Sequence, residues 1–283
     1  MADLVITAAD VNKLRQATGA GMMDCKKALV EAGGDFDAAV DNLRKKGQKV
    51  AANRADRDAK EGVCVALTSH NRNNGVVIKL CCETDFVSKN EDFVNLTYKL
   101  AEIALKNLPA TVADFMALTF EGAQTVGQKI ESQTGIIGEK IEITDYEFIK
   151  TEAGQGQVVP YIHMGNRAAV IVALNLEGLE YVEAGKNVAM QVAAMRPVAL
   201  DKDGVDATMI EKEIEIGKEL ARQEGKPEAM LDKIAQGRLE KFYKENTLLN
   251  QQYVKDGSLT VAAYLKTLNK NLTASSFKRA MLG

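Results

Sequence analysis

Histidine and cysteine are the residues most often used for metal binding and nucleophilic chemistry, and this chain has few of them. Its two histidines, His70 and His163, lie far apart in a sequence of 283 residues, which leaves too few neighbouring ligands for a zinc site. The four cysteines include the adjacent pair Cys81 and Cys82 but no Cys-x-x-Cys spacing. We therefore expect no metal site and a reducing compartment.

Motifs for nucleotide binding and covalent catalysis are incomplete or absent. Gly19-Ala20-Gly21 could begin a dinucleotide-binding loop, but Asp24 stands where a third glycine is required. The sequence contains no Gly-Lys-Ser/Thr phosphate loop and no Gly-x-Ser-x-Gly elbow. For His163 a structural or interface role is favoured over catalysis. The sequence predicts no catalytic residue, no cofactor and no nucleotide bound by the chain itself.

The segment Thr84-Asp85-Phe86-Val87 places a carboxylate beside an aromatic ring. Most aromatic side chains are core residues, so residue types alone favour packing for Phe86. The alternative is a binding wedge, because a rigid aromatic residue on a short connection often dominates interface energy. Acid–base chemistry is disfavoured, since pairs such as Glu83 and Asp85 are common in an acidic protein. A protein-binding role is the functional interpretation of this segment.

Two predicted strands and a helix position that segment. Residues 63–67 alternate between apolar and other side chains, and an Asn-Asn-Gly turn then leads into a second apolar strand at 76–82. Ser88 and Glu91 have the spacing of a capping box, which predicts that a helix begins there. The tetrapeptide is thus expected to connect a strand to a helix at the edge of a sheet.

Residues 4–47 are predicted to form three helices. Thr7 and Asp10 have capping-box spacing at the start of the first helix. The third helix is expected to end at Gly47, after a basic last turn that suits the helix dipole. Residues 48–61 are rich in alanine and charge without an apolar stripe, which predicts a mobile or loosely helical linker.

The second half of the chain repeats the order strand, turn, strand and helix, at residues 158–163, 168–176 and 187–194. A single helix is predicted at 115–130. Alternating charge with sparse apolar positions at 206–243 predicts an antiparallel helical hairpin. The expected fold class is α+β, with a core of two similar subdomains that have antiparallel sheets, and with the hairpin as an insertion.

Composition and charge narrow the choice of partners. The formal net charge of −3 disfavours a polyphosphate partner. The basic run at 44–49 is interpreted as a solvated linker because no aromatic residue interleaves with it. No stretch approaches the roughly 20 apolar residues of a membrane span, and the start lacks the basic flank of a signal peptide. We expect a cytoplasmic protein that binds neither nucleic acid nor membrane.

Two motifs resemble those of a known family. The run Thr18-Gly-Ala-Gly-Met-Met-Asp-Cys-Lys-Lys-Ala-Leu29 and the tetrapeptide at 84–87 are similar to the two signatures of bacterial translation elongation factor Ts. The order of the domains is similar over almost the whole chain. The resemblance implies a guanine-nucleotide exchange factor that binds elongation factor Tu, both with GDP and without nucleotide, and promotes GDP release without a covalent step.

The resemblance also implies roles for single residues. Phe86 is expected to act as a wedge between two helices of the GTPase domain, and Asp85 to disturb the Mg²⁺ site beside the nucleotide. Thr84 and Val87 are expected to hold this tip. Further contacts with elongation factor Tu are implied for a set of residues along the chain: Leu14, Met22, Met23, Lys26, Ile137, Gly138, His163 and Val254.

The implied domains begin with a three-helix, ubiquitin-associated-like domain. Their bounds are 1–54 for that domain with its basic linker, 55–140 for core subdomain 1, 141–199 for core subdomain 2, 200–245 for the hairpin insertion and 246–283 for the C-terminal part of core subdomain 2. Three roles are possible for the hairpin at 206–243: dimerisation, extension of the fold, or binding of another partner.

Two competing functions remain at this stage. An adaptor of the ubiquitin-associated type would explain residues 1–47, but it would leave the tetrapeptide at 84–87 without a role. An enzyme that uses Asp85 or Glu83 would lack the second catalytic partner that it needs. Exchange of guanine nucleotide on elongation factor Tu is therefore the favoured prediction.

Overall fold

The computed structural model of the chain describes residues 6–283. Contacts divide it into two units. The first comprises the described residues up to Cys64, Ile78–Tyr146 and Leu282–Gly283; the second comprises Val65–Val77 and Glu147–Met281. The domain bounds given above stay predictions, and residues 1–5 of the first domain lie outside the described residues. The α+β class is confirmed, with antiparallel sheets and several helices.

Three helices open the first unit: α1 (Ala8–Thr18), α2 (Met22–Glu31) and α3 (Phe36–Asn53). The predicted capping box is confirmed, since the Asp10 amide donates to Thr7 Oγ1 over 3.2 Å and Asp10 accepts from the Thr7 amide over 3.0 Å. The predicted end of the third helix at Gly47 is wrong. Gly47 lies against the backbone of a later helix at Gly135, and this close tertiary contact overrides its low helix propensity.

The hairpin that leads to the tip is confirmed as β1 (Glu61–Thr68) and β2 (Asn74–Cys82). A single helical turn, α4 (Asp85–Ser88), follows, and then the long helix α5 (Glu91–Asn107). The predicted capping box at Ser88 is wrong, because Asn90 caps α5 by accepting from the Asp92 amide over 2.8 Å. Ser88 is instead the last residue of α4, a helical turn that lies where an irregular connector was expected.

The single helix predicted at 115–130 is also wrong. Two helices, α6 (Val112–Ala117) and α7 (Val126–Ile137), are separated by a small hairpin of β3 (Thr119–Glu121) and β4 (Gln124–Thr125). Each helix has its own capping box, at Thr111 with Asp114 and at Thr125 with Gln128. These local caps start two helices where apolar spacing alone indicated one. Strand β5 (Glu142–Lys150) then completes a sheet in the order β1-β2-β5.

The second unit contains the predicted repeat. Strands β6 (Gln157–Ile162) and β7 (Ala168–Leu174) pair antiparallel, with Val159 opposite Val172, and α8 (Val182–Met195) follows. Strand β7 is buried along its whole length, which explains its near-continuous apolar sequence. Its buried side chains pack with those of α8: Val170, Val172 and Leu174 with Val188, Ala189 and Val192.

The helical hairpin is present as α9 (Ala207–Gln223) and α10 (Leu231–Asn246). The two helices approach closely where Gly217 faces Ala235, whose Cα would lie 3.1 Å from an added Cβ. The remaining elements are β8 (Gln252–Tyr253), β9 (Asp256–Thr260), α11 (Val261–Leu268) and β10 (Ala274–Met281). Strand β10 pairs antiparallel with β7, so this sheet has the order β10-β7-β6. Among the described helices, none is both long and apolar enough to cross a membrane.

Candidate functional site

The tip of the first unit is the helical turn α4, between the end of β2 and the N-cap of α5. Phe86 projects from this turn with 85% of its side chain exposed. The packing interpretation of Phe86 is therefore wrong. The ring is therefore accessible to a partner, and aromatic side chains are enriched at protein–protein interfaces.

Thr84, the first residue of the tip, is fixed by a carboxylate from a distant segment. Its backbone amide donates to Glu139 Oε2 over 3.0 Å, and its hydroxyl donates to Glu139 Oε1 over 2.6 Å. Glu139 follows Gly138, which ends α7 in the left-handed conformation with φ of 78°. Sequence reasoning missed Glu139, since no local pattern links residues that are 55 positions apart.

Asp85 makes an ion pair with Lys89, one helical turn further along the chain. Lys89 Nζ lies 2.6 Å from Asp85 Oδ2, and both side chains are well exposed. The hydrogen bond from Lys89 and its positive charge hold the pKa of the Asp85 carboxyl below its usual value. The i, i+4 spacing could have revealed this pair from the sequence. The tip thus presents an ionised carboxylate beside an exposed ring at neutral pH.

Replacing Lys89 by methionine is expected to raise the pKa of Asp85 towards its ordinary value of about 3.9. A depressed native pKa stabilises the fold above the unfolded-state pKa, and this contribution is lost as the pH falls through the native value. An NMR titration of the Asp85 carboxyl carbon measures the change. Lys106→Met, at an exposed lysine in the last turn of α5, is the control. An unchanged pKa of Asp85 in Lys89→Met would show that Lys89 does not cause the lowered pKa.

A groove of about 660 Å³ lies beside the tip. Phe86 and Val87 line one part of it, Phe93 of α5 another, and Ile136 and Ile137 of α7 a third. The structure therefore brings together three of the predicted contact positions, Phe86, Val87 and Ile137, around one open groove. Gly138 immediately follows, at the end of α7.

The predicted contact residues of the helical bundle do not share one environment. Met22 and Met23, at the start of α2, are 44% and 78% exposed, and Lys26 on the same helix is also exposed. Leu14 is instead fully buried in the core of the bundle. The expectation that Leu14 contacts a partner directly is corrected here, because its side chain packs against the other two helices and has no accessible surface.

The two remaining predicted contacts, His163 and Val254, belong to the second unit. His163 is exposed, and its Nδ1 lies 2.9 Å from the hydroxyl of Tyr161. Val254 is 48% exposed. The adjacent Met164, which was not among the predicted contacts, is 89% exposed. It lies in the short turn Met164–Asn166 between β6 and β7.

The described residues offer little for covalent or metal chemistry. They include no group of three or more His, Cys, Asp or Glu side chains placed to hold a metal ion. All four cysteines are buried. Burial raises the pKa of the Cys64 and Cys82 thiols to about 12, so these groups stay protonated and are poor nucleophiles.

The α+β fold and the exposed turn beside a groove can be compared with those of known protein families. The family described as Elongation factor TS matches residues 83–283. Elongation factor Ts of Flavobacterium psychrophilum is 53% identical over 98% of this chain and 99% of its own length. Those of Christiangramia forsetii and Amoebophilus asiaticus are 54% and 52% identical, over 98% and 99% of this chain and 99% and 100% of their own. The chain belongs to the elongation factor Ts family. Membership implies a nucleotide exchange factor for elongation factor Tu in translation.

Proposed function

We propose that this chain binds elongation factor Tu carrying GDP and promotes GDP release by inserting the tip at Thr84–Val87 beside the Mg²⁺ site. The observation that carries the proposal is the exposure of Phe86, which is 85% accessible on a turn held by Glu139. A free aromatic ring in that setting can be buried by a partner without removing it from any core of its own.

Exchange by such a factor follows from thermodynamic linkage. A factor that binds nucleotide-free elongation factor Tu better than the GDP form must weaken GDP binding by the same ratio. Burying a phenylalanine contributes about 1.5–3 kcal/mol, which corresponds to roughly ten- to a hundredfold in an equilibrium constant. Burial of Phe86 alone can therefore supply a large part of the difference in binding free energy between nucleotide-free and GDP-bound elongation factor Tu. This holds when the pocket for the ring exists only in the nucleotide-free form.

Asp85 is proposed to act on the metal rather than on the nucleotide. Its carboxylate is ionised at neutral pH, as an aspartate normally is, and Lys89 lowers its pKa further. An additional negative charge next to the Mg²⁺ ligands disturbs their arrangement, and loss of the ion removes charge neutralisation from the phosphates. The pair with Lys89 is exposed, so solvent screens it and Asp85 can give it up readily on binding.

The remaining contacts are proposed to hold the two proteins together. On the helical bundle these are Met22, Met23 and Lys26, whose side chains are accessible. Ile137 and Gly138 extend the surface of the groove beside the tip. In the second unit His163 and Val254 are accessible as well. Methionine suits such a surface, because its flexible thioether adapts to an apolar partner.

The test is release of fluorescent GDP from purified elongation factor Tu, with this protein added in substoichiometric amount. We expect acceleration with repeated turnover, since an exchange factor is not consumed. Asp85→Ala should slow release in the presence of Mg²⁺, and its deficit should shrink when a chelator removes the metal. Absence of any acceleration by the unmodified protein would refute the proposal. A deficit of the same size with and without Mg²⁺ would refute the role given to Asp85.

A further inference from the structure

Two glutamates on separate segments hold the tip, because the carboxylate of each accepts hydrogen bonds from the backbone of the other segment. Glu139 accepts from the backbone amides of Glu83 and Thr84 over 3.1 and 3.0 Å, and from the Thr84 hydroxyl over 2.6 Å. In return, Glu83 Oε1 accepts from the backbone amide of Lys140 over 2.7 Å. Each carboxylate thus ties its own segment to the backbone of the other. We call this arrangement of Glu83 and Glu139 the carboxylate brace.

Arg54 connects a third segment to the brace. Its Nη1 lies 2.7 and 2.9 Å from the two carboxylate oxygens of Glu83, whose side chain is only 17% exposed. Arg54 is the C-cap residue of α3. The Lys140 amide, and then Arg54, hold the pKa of the Glu83 carboxyl below its usual value. Glu83 is charged at neutral pH, as a glutamate normally is, and its carboxylate accepts from both donors.

Packing alone does not explain how the tip keeps its conformation. The turn α4 has four residues, none of them buried, and a helix of this length is unstable by itself. Phe86 is mostly solvated, so packing within this protein restrains the direction of its side chain only weakly. Polar bonds at Thr84 are therefore the principal restraint on the direction in which the turn leaves β2.

We propose that Glu139 and Glu83 are positioning residues for exchange, which fix Thr84 so that Asp85 and Phe86 meet the GTPase without first being ordered. This inference rests on the proposed function of the tip. Hydrogen bonds to ionised groups are stronger than neutral ones, and a preordered contact avoids the entropy lost when side chains and loops are immobilised on binding. Arg54 extends the same restraint to the end of α3.

A double-mutant cycle tests the proposal on the full chain. Glu139→Ala is expected to slow stimulated GDP release about tenfold, because a charged acceptor with several donors is lost. The same change in a background that lacks both tip side chains, Asp85→Ala with Phe86→Ala, is expected to slow release by less than about twofold, since Glu139 acts through the tip. If Glu139→Ala slowed GDP release by the same factor in both backgrounds, the proposal would be overturned. Such additivity would mean that Glu139 acts independently of the tip side chains.

Glu142→Ala is the matched control. Glu142 is a neighbouring carboxylate that pairs with Lys140 over 3.1 Å and makes no bond with the tip, so its loss should leave GDP release unchanged. Hydrogen exchange at the amides of Glu83 and Thr84 should accelerate in Glu139→Ala and stay slow in Glu142→Ala. Unchanged amide exchange in Glu139→Ala would also overturn the proposal.

The two proposals fail in different ways. If the unmodified protein does not accelerate GDP release, the proposed function is wrong. If it does, and Phe86→Ala slows release while Glu139→Ala matches the Glu142→Ala control, the tip functions but the brace does not position it. Should Glu139→Ala unfold, Thr84→Val removes only the hydroxyl bond to Glu139. That variant is then expected to slow release with an unchanged melting temperature, and full activity would reject the brace.

Discussion

Phe86→Ala is expected to remove most of the acceleration of GDP release from elongation factor Tu while leaving the melting temperature unchanged. The ring is 85% exposed, so the substitution creates no cavity in the free protein. In the complex it removes apolar burial of about 1.5–3 kcal/mol, which predicts a loss of roughly ten- to a hundredfold in the stimulated rate. Stopped-flow release of fluorescent GDP and thermal unfolding measure the two quantities.

Leu179→Ala provides the matched control for that substitution. Leu179 is another large apolar side chain with 75% exposure, but it belongs to the second unit and is not a predicted contact. Its loss should change neither the release rate nor the melting temperature. A fall in melting temperature for Phe86→Ala would contradict the expectation that the ring adds nothing to the stability of the free protein, and an unchanged release rate would remove Phe86 from the site.

Local patterns predicted much of the fold. The capping box at Thr7 with Asp10, the hairpin before the tip, the strand–turn–strand–helix order around β6 and β7, and the helical hairpin of α9 and α10 are all present. In each of these, the signal lies within a few residues: a cap, a turn or an apolar period. Interactions within one element need no knowledge of the rest of the chain.

Long-range contacts account for what sequence reasoning missed. Glu139 reaches Thr84 across 55 positions, and Arg54 reaches Glu83 across 29. The extension of α3 past Gly47 depends on a helix that comes much later in the chain. Nothing in the spacing of these residues indicates that they meet, because the tertiary fold alone brings them together. The position of the tip in the sequence could therefore be predicted, whereas the residues that hold it, Glu139 and Arg54, could not.

The signature at Thr18–Leu29 combines residues with different tasks. Gly19 ends α1 with a left-handed φ of 74°, and Cys25 is buried in the core of the bundle. Met23, between them, is 78% exposed. A sequence motif does not separate residues that build a surface from those that touch a partner. Solvent exposure makes that distinction. It is also the reason that Leu14, which precedes the signature, is assigned to the core and not to the contacts.

Helix α3 leads to Arg54 and helix α7 leads to Glu139, and the close crossing of the two helices should be sensitive to a single added methyl group. A Cβ added at Gly135 would lie 2.4 Å from the Cα of Gly47, closer than two helix backbones can tolerate without moving apart. Overpacking of this kind typically costs about 1–3 kcal/mol. Part of it is offset, because alanine favours a helix over glycine by up to about 1 kcal/mol.

Gly135→Ala is therefore expected to lower the melting temperature, whereas Gly237→Ala should raise it. Gly237 lies inside α10, and no heavy atom comes within 4 Å of an added Cβ, so only the gain of about 0.5–1 kcal/mol in helix formation remains. Stimulated GDP release should fall in Gly135→Ala alone, since α3 ends at Arg54 and α7 leads to Glu139. If both substitutions raise the melting temperature, the crossing is not tight, and the support of the tip does not depend on it.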